Sequence, residues 1–229
     1  MLRLSWIGAV VATLAISAMT LTDAAWAQGG VELLKGAQEA EAARNRSEAL
    51  RLYSSAIESG NLAPAQLASA YYRRGALRGA LGDSNLGIED FSRSIELNSQ
   101  FGNAWSLRGY LRGVVGQYEL SEKDHLTAIK LADRATWSEY PAWTLQHMAD
   151  LWRRRGNYAK ALEYCEQALQ RSNYSPVLLR RAWIHMDAGN TPKAKADFAA
   201  FRRAAEQQKL SFDVFWPDER EAINRLGRL

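Results

Sequence analysis

The side chains that could perform acid–base, nucleophilic or metal chemistry are few in this sequence. It contains three histidines, His125, His147 and His185, and one cysteine, Cys165. The histidines do not have the spacing of an H-E-x-x-H zinc motif. The sequence also lacks a G-x-S-x-G nucleophile elbow and a phosphate-binding G-x-x-x-x-G-K-[ST] loop. We therefore expect no catalytic residue, no metal site and no cofactor.

A second pattern joins arginine to aspartate at a fixed distance. Three arginines are each followed by an aspartate sixteen residues later: Arg74 and Asp90, Arg108 and Asp124, Arg181 and Asp197. At two corresponding places both residues are uncharged: Met148 and Tyr164, Gly36 and Leu52. Because charge occurs at both sites or at neither, we predict structural guanidinium–carboxylate pairs between two neighbouring helices.

The elements that position these residues repeat with a period of 34 residues. Tyr71-x-x-Arg74-Gly75 aligns with Trp105-x-x-Arg108-Gly109, and the match continues downstream. Each unit has two runs of helical periodicity separated by a glycine-polar turn: Gly82-Asp83, Gly116-Gln117, Gly156-Asn157 and Gly189-Asn190. Glycine is expected there because many helices end in the left-handed conformation. A unit this short cannot bury its own apolar face, so the units must stack on one another.

These features resemble the tetratricopeptide repeat family, whose pattern is W-x2-L-G-x2-Y followed by A-x3-F. Trp105-x2-Arg108-Gly109 and Tyr71-x2-Arg74-Gly75 carry the first part. The resemblance implies an all-α, right-handed α-solenoid of about five helix-turn-helix repeats in residues 28–208. The predicted repeats are residues 30–63, 68–101, 102–135, 142–174 and 175–208, and residues 209–229 form a C-terminal capping segment with a final helix over the fifth repeat.

The second helix of each repeat carries a small residue, then a bulky one, then usually another small one. Gly87-Phe91-Ser94, Ser121-His125-Ala128 and Ala161-Cys165-Ala168 follow this order. His125 and Cys165 therefore fall at core positions, and we interpret both as packing residues.

In tetratricopeptide folds the first helices line a concave groove that binds peptides. Position by position, the resemblance implies these groove residues: Tyr72, Ala76, Gly79, Ser106, Tyr110, Gly113, Gln146, Asp150, Arg153, Leu179, Trp183 and Met186. The lysine and asparagine with which some members grip a terminal carboxylate are absent. We expect an exposed aromatic wall at Tyr72 and Tyr110 that holds an extended or helical peptide. The alternative is that these rings pack within the solenoid.

The ends and the charge distribution bear on location and partners. Residues 1–27 have the basic start, apolar run and Ala25-Trp26-Ala27 site of a secretory signal peptide, and we expect cleavage after Ala27 and a periplasmic or secreted product. An uncleaved signal that anchors the chain in the membrane is the alternative.

The net charge of the chain is +4, and the excess of positive charge lies in arginine runs in the last third. We interpret these arginines as solvated faces or ion pairs. The alternative is a patch that binds an acidic partner or a membrane surface. Phe212, Phe215 and Trp216 are expected to cap the core or to form a docking motif.

These observations favour an exported, non-enzymatic scaffold or adaptor that binds another protein or a peptide in the concave groove. One alternative is a module that self-assembles through its ends into oligomers. Another is an accessory factor that takes a small molecule or glycan in the aromatic groove. Nucleic acid is an unsuitable partner for an exported protein, and no stable membrane span is expected once the signal is removed.

Overall fold

The structure is a computed structural model that describes residues 29–132, 140–171, 175–210 and 217–229. Within these ranges the chain forms eleven α-helices and no β-strand. The helices are α1 (29–42), α2 (Arg46–Glu58), α3 (Pro64–Leu81), α4 (Ser84–Leu97), α5 (Gly102–Val114), α6 (Tyr118–Ala132), α7 (Tyr140–Arg154), α8 (Tyr158–Arg171), α9 (Pro176–Asp187), α10 (Thr191–Gln207) and α11 (Pro217–Leu226). The all-α prediction is confirmed. The predicted signal peptide and Phe212, Phe215 and Trp216 lie outside the described residues.

The turns inside the helical pairs are where the sequence predicts them. Four glycines end the first helix of a pair with positive φ: Gly82 (101°), Gly116 (82°), Gly156 (74°) and Gly189 (76°). Glycine adopts this conformation without the clash that a Cβ atom would cause. In the turn between α1 and α2 the corresponding residue is Arg44, with φ of 60°. The first pair therefore carries backbone strain that the other pairs avoid.

Arg44→Gly is expected to raise the free energy of unfolding by about 1 kcal/mol, because glycine relieves the left-handed strain. The matched control is Gly156→Ala, where an added Cβ would have no atom within 4 Å and only the backbone conformation would suffer. That change should lower the free energy of unfolding by about the same amount. Urea unfolding of both variants measures the difference, and an Arg44→Gly variant no more stable than the original chain contradicts the prediction.

The chain divides into two compact units, Met1–Arg74 and Gly75–Leu229, and the boundary falls inside α3. In the first unit, Tyr53 of α2 is fully buried, and its hydroxyl donates to Glu41 of α1 over 2.8 Å. Arg73 and Arg74 of α3 donate to Glu41 and to the Ser54 hydroxyl of α2. Polar side chains thus join α1, α2 and the start of α3.

In the second unit, helices that follow one another pack against each other from α4 to α10. The first helices of successive pairs also touch, α5 with α7 and α7 with α9. The predicted small-bulky-small positions form the core, because Ala161, Cys165 and Ala168 of α8 are completely buried against Leu145 and Ile184. The packing roles predicted for His125 and Cys165 are confirmed, since neither side chain is exposed.

The last helix, α11, packs against α9 and α10. Leu226 and Ile223 contact the apolar cluster that contains Leu179, Phe198 and Phe201. The C-terminal half of α11 therefore covers the last helical pair, as expected. In the described ranges, no helix is both long and apolar enough to cross a membrane.

Candidate functional site

The predicted groove residues all lie on first helices of pairs. Tyr72, Ala76 and Gly79 are on α3, Ser106, Tyr110 and Gly113 on α5, Gln146, Asp150 and Arg153 on α7, and Trp183 on α9. Tyr72 and Ala76 are half-buried. The exposure expected of Tyr110 is wrong, because only 2% of this residue is accessible, and Trp183 is 5% accessible. Tyr110 and Trp183 contact other side chains of the second unit.

The N-terminal turn of α11 contacts this set of helices through Asp218. The Tyr110 hydroxyl of α5 donates to Asp218 Oδ1 over 2.5 Å, and Arg154 of α7 donates to Asp218 Oδ2. Burial is the main reason why the pKa of Tyr110 is well above its ordinary value, and the carboxylate of Asp218 adds to the effect. Tyr110 therefore remains a hydrogen-bond donor throughout the physiological pH range.

Glu219, the next residue, reaches two further helices. Arg180 Nη2 of α9 donates to Glu219 Oε1 over 2.8 Å, and Gln146 Nε2 of α7 donates to the same oxygen over 3.4 Å. Arg180 is 1% exposed and Glu219 is 6% exposed, so this ion pair is shielded from solvent. We call the side of α5, α7 and α9 that carries Tyr110, Gln146, Arg154 and Arg180 the α5/α7/α9 face.

A buried aspartate at the centre of the α5/α7/α9 face holds its arginines in place. Asp150 accepts hydrogen bonds from Arg153, Arg154 and Arg180 over 2.9, 2.6 and 2.6 Å. Burial alone would raise the pKa of Asp150, but the three guanidinium groups outweigh it and hold the pKa well below the ordinary value. Asp150 is therefore a permanent anion, and the guanidinium groups of Arg154 and Arg180 remain directed toward α11.

Arg153 belongs to the same network but faces α9. Its guanidinium lies 3.7 Å from the centre of the Trp183 ring and donates to Asp187 over 2.6 Å. Trp183 thus supports an arginine and is not an open binding surface. Asp150, Arg153 and Trp183, which the sequence predicted as groove positions, all belong to this network, and their role in partner binding stays a prediction. The sequence did not indicate that Arg154, Arg180, Asp218 and Glu219 would join them. The arginine excess in the last third and the adjacent acids after Pro217 were the available signals.

Next to this network lies a buried group of polar and aromatic side chains. The His147 ring stacks on Tyr110 and meets Trp143 edge-on, each with 4.8 Å between ring centres. His147 Nδ1 and the Ser106 hydroxyl share a hydrogen bond of 3.2 Å. This is the geometry of a nucleophile and its base, but Ser106 is completely buried and His147 is 3% exposed. Burial also lowers the pKa of His147 well below its ordinary value, so the imidazole is neutral and a weak base, and both side chains are closed to solvent.

Two of the predicted arginine–aspartate pairs are present as bidentate contacts. Arg108 donates to both oxygens of Asp124 over 2.9 Å, and Arg181 donates to both oxygens of Asp197 over 2.8 and 2.6 Å.

The two residues of the third predicted pair form hydrogen bonds with other side chains. Arg74 in the first unit donates to Ser54. Asp90 in the second unit accepts from Arg78 over 2.8 Å. The pair between Arg74 and Asp90 therefore stays a prediction.

Side chains that could bind a metal ion form no cluster in the described part of the chain. There, no three side chains of histidine, cysteine, aspartate or glutamate lie close enough together to hold a metal ion. Burial raises the pKa of the Cys165 thiol to about 12, which disfavours the nucleophilic thiolate.

A cavity of about 140 Å³ lies beside the start of α11, between Gly79, Tyr110, Leu111 and Pro217. It continues the α5/α7/α9 face and has room for a small side chain.

Comparison with known proteins agrees with this architecture. Residues 68–101 match the sequence model of the tetratricopeptide repeat family. No curated protein matches the chain in sequence. A tetratricopeptide repeat protein from Parabacteroides merdae has a similar structure, with a TM-score of 0.63 and 16% identity over 86% of this chain and 84% of its own.

Two further solved structures share the arrangement. A thermophilic tetratricopeptide repeat protein from Thermus thermophilus has a TM-score of 0.66 and 17% identity, covering 87% of this chain and 100% of its own. MamA from Desulfovibrio magneticus has a TM-score of 0.58 and 15% identity, covering 80% and 97%. Together with the match at residues 68–101, these likenesses show a tetratricopeptide-type fold.

Proposed function

We propose that this chain is an exported, non-enzymatic scaffold or adaptor that binds a segment of another protein on the first helices of its repeats. The observation that carries the proposal is the seating of α11 on the α5/α7/α9 face. Tyr110, Gln146, Arg154 and Arg180 all donate to side chains of one helical segment. A surface with this arrangement of donors is suited to hold a polypeptide, and protein binding is the common use of repeat folds of this kind.

Site-specific photocrosslinking tests the binding surface. A photoreactive amino acid is placed at Ala76, a half-buried position on the first helix of a pair, in protein made in its native host. Lys123 and Glu163, which are exposed on the second helices α6 and α8, are the matched control positions. We expect a discrete covalent adduct with one protein from Ala76 and none from the controls. Adducts from the controls alone would move the binding surface to the second helices, and an absence of protein adducts at all three would argue against a scaffold.

Export is a separate part of the proposal and rests on the signal-like residues 1–27. Cleavage after Ala27 would give a chain that begins Gln28-Gly29-Gly30. Mass spectrometry of the N-terminus, on protein recovered from the periplasmic and membrane fractions, tests this directly. A periplasmic product that begins at Gln28 supports export with cleavage. An intact N-terminus in the membrane fraction would indicate an uncleaved anchor instead.

A further inference from the structure

We propose that the α5/α7/α9 face recognises two adjacent acidic residues at the start of a helix, and that α11 occupies this site as an intramolecular ligand. The partner segment is then an acidic helix start of another protein, which must displace α11 to bind. This inference rests on the proposed scaffold function and names the chemistry and regulation of the same site.

The contacts of α11 divide into two chemically different halves. Its first turn carries Asp218 and Glu219, whose carboxylates accept from residues of α5, α7 and α9. Its last turn carries Leu226, which packs in the apolar cluster of α9 and α10. An end cap needs only the apolar half, because covering the last pair buries its exposed hydrophobic side chains. The acidic half extends over helices of earlier pairs, which a cap does not require.

The α5/α7/α9 face has an excess of positive charge, which favours binding of a negatively charged segment. Within α7 and α9, three arginines, Arg153, Arg154 and Arg180, pair with only two aspartates, Asp150 and Asp187. One positive charge therefore remains in a region shielded from solvent, where an unbalanced charge is costly. Asp218 and Glu219 of α11 bring two negative charges, and Arg225 of α11 brings one positive charge to Asp187 over 3.6 Å, so the seated helix supplies the one negative charge that is missing.

The geometry selects carboxylates on consecutive residues. Asp218 is held between Tyr110 and Arg154, and Glu219 between Arg180 and Gln146, so each acid has its own pair of donors. The backbone N–H of Glu219 also donates to Asp218 Oδ1 over 3.0 Å. A partner that begins a helix with two acids after a proline would reproduce every one of these contacts.

Release of α11 is physically accessible because the helix is short. It has ten residues, and a helix of this length is marginal in water without tertiary contacts. Its stability therefore depends on the surface that holds it. Because α11 belongs to the same chain, it competes for the site at a high local concentration. A separate partner protein therefore binds only to the fraction of molecules in which α11 is released.

The test uses the full chain with Asp218→Asn and Glu219→Gln, which keep the side-chain shapes and remove both charges. Hydrogen exchange should show faster exchange in α11 and little change in α5 to α8. The probe is a fluorescein-labelled, N-acetylated peptide of residues 217–229, followed by fluorescence anisotropy. We expect the double variant to bind this peptide with a Kd at least about tenfold lower than that of the unaltered chain, because the competing segment is weakened.

Two controls decide whether the acids carry the recognition. The same peptide with asparagine and glutamine at 218 and 219 should bind the double variant at least about tenfold more weakly than the acidic peptide. Adding Arg154→Gln to the double variant should also weaken binding of the acidic peptide. Equal binding of both peptides overturns the inference, as does unchanged exchange in α11 of the double variant.

A different variant covers the case in which the double variant does not fold. Arg154→Gln alone, at a partly exposed side chain, removes one of the two donors to Asp218. It should speed exchange in the first turn of α11 but not in α10. Slow exchange there would overturn the inference. The crosslinking experiment at Ala76 reports a bound protein whatever the role of α11, so a failure here is separable from a failure of the scaffold function.

Discussion

Asp124→Ala is expected to lower the free energy of unfolding by about 3–5 kcal/mol, the largest loss that we predict for a single substitution. Asp124 is 2% exposed, and its two oxygens accept from Arg108 over 2.9 Å and from Arg112 over 2.7 Å. Removing the carboxylate leaves two guanidinium groups without their anion in a shielded place between α5 and α6. Thermal and urea unfolding measure the loss.

The chain supplies its own matched control for Asp124→Ala. In the α7/α8 pair the corresponding positions hold Met148, Trp152 and Tyr164, and that pair packs without the charges. The triple variant Arg108→Met/Arg112→Trp/Asp124→Tyr should therefore recover most of the stability lost in Asp124→Ala. The double variant that keeps Arg112 should recover less, because one guanidinium still lacks its partner. An Asp124→Ala protein as stable as the original, or a triple variant less stable than the single one, would contradict this account.

The arginine–aspartate pairs show how far repetition carries a prediction. Comparison of the repeats alone identified the pairs Arg108 with Asp124 and Arg181 with Asp197. It succeeded because the same two positions are neighbours in every repeat, so charges that occur together at them indicate a contact. A further arginine was missed in each of two repeats. Arg78 donates to Asp90 and Arg112 donates to Asp124, and each lies four residues after the arginine that the sequence comparison identified. Spacing of one helical turn was the available signal.

The position of α11 could not be predicted in the same way. The repeat period fixes contacts between neighbouring helices, which explains why the helical pairs and their glycine turns were identified correctly. Tyr110 lies in a repeat, 108 residues before Asp218, whereas α11 stands outside the repeating pattern. The acidic residues of α11 indicate that its first turn pairs with cations, but they do not specify which helices provide these cations. The exposure expected of Tyr110 was wrong because of this long-range contact.

His125→Phe is expected to make the protein more resistant to mild acid. Burial lowers the pKa of His125 from 6.5 to about 3, with a small opposing effect from Asp150. The unfolded chain therefore binds a proton at this residue at higher pH than the folded chain does. The contribution of neutral His125 to stability is fully present above pH 6.5, the pKa of histidine in the unfolded chain. It is lost as the pH falls from there toward the pKa of His125 in the folded protein. Between about pH 7.5 and about pH 5, this single residue should account for a loss of about 2 kcal/mol.

Phenylalanine is a suitable replacement because Phe91 fills the equivalent place on α4, where it is also completely buried. The neighbouring glycines correspond as well, since a Cβ on Gly109 would lie 3.0 Å from the His125 ring and one on Gly75 3.3 Å from Phe91. The measurement is the change in unfolding free energy between the two pH values, in which carboxylate effects common to both proteins cancel. His147 remains in the variant, so the dependence on pH should shrink without vanishing.

The reciprocal substitution, Phe91→His, tests the same physics in the opposite direction. It places an imidazole in a site that is closed to solvent, so the folded state should again resist protonation. We expect this variant to lose about 2 kcal/mol more than the original chain over the same pH interval. If His125→Phe and Phe91→His both leave the pH dependence unchanged, protonation at this core position is not linked to unfolding. If the loss of unfolding free energy on acidification is smaller in His125→Phe and larger in Phe91→His, burial of the imidazole is its cause.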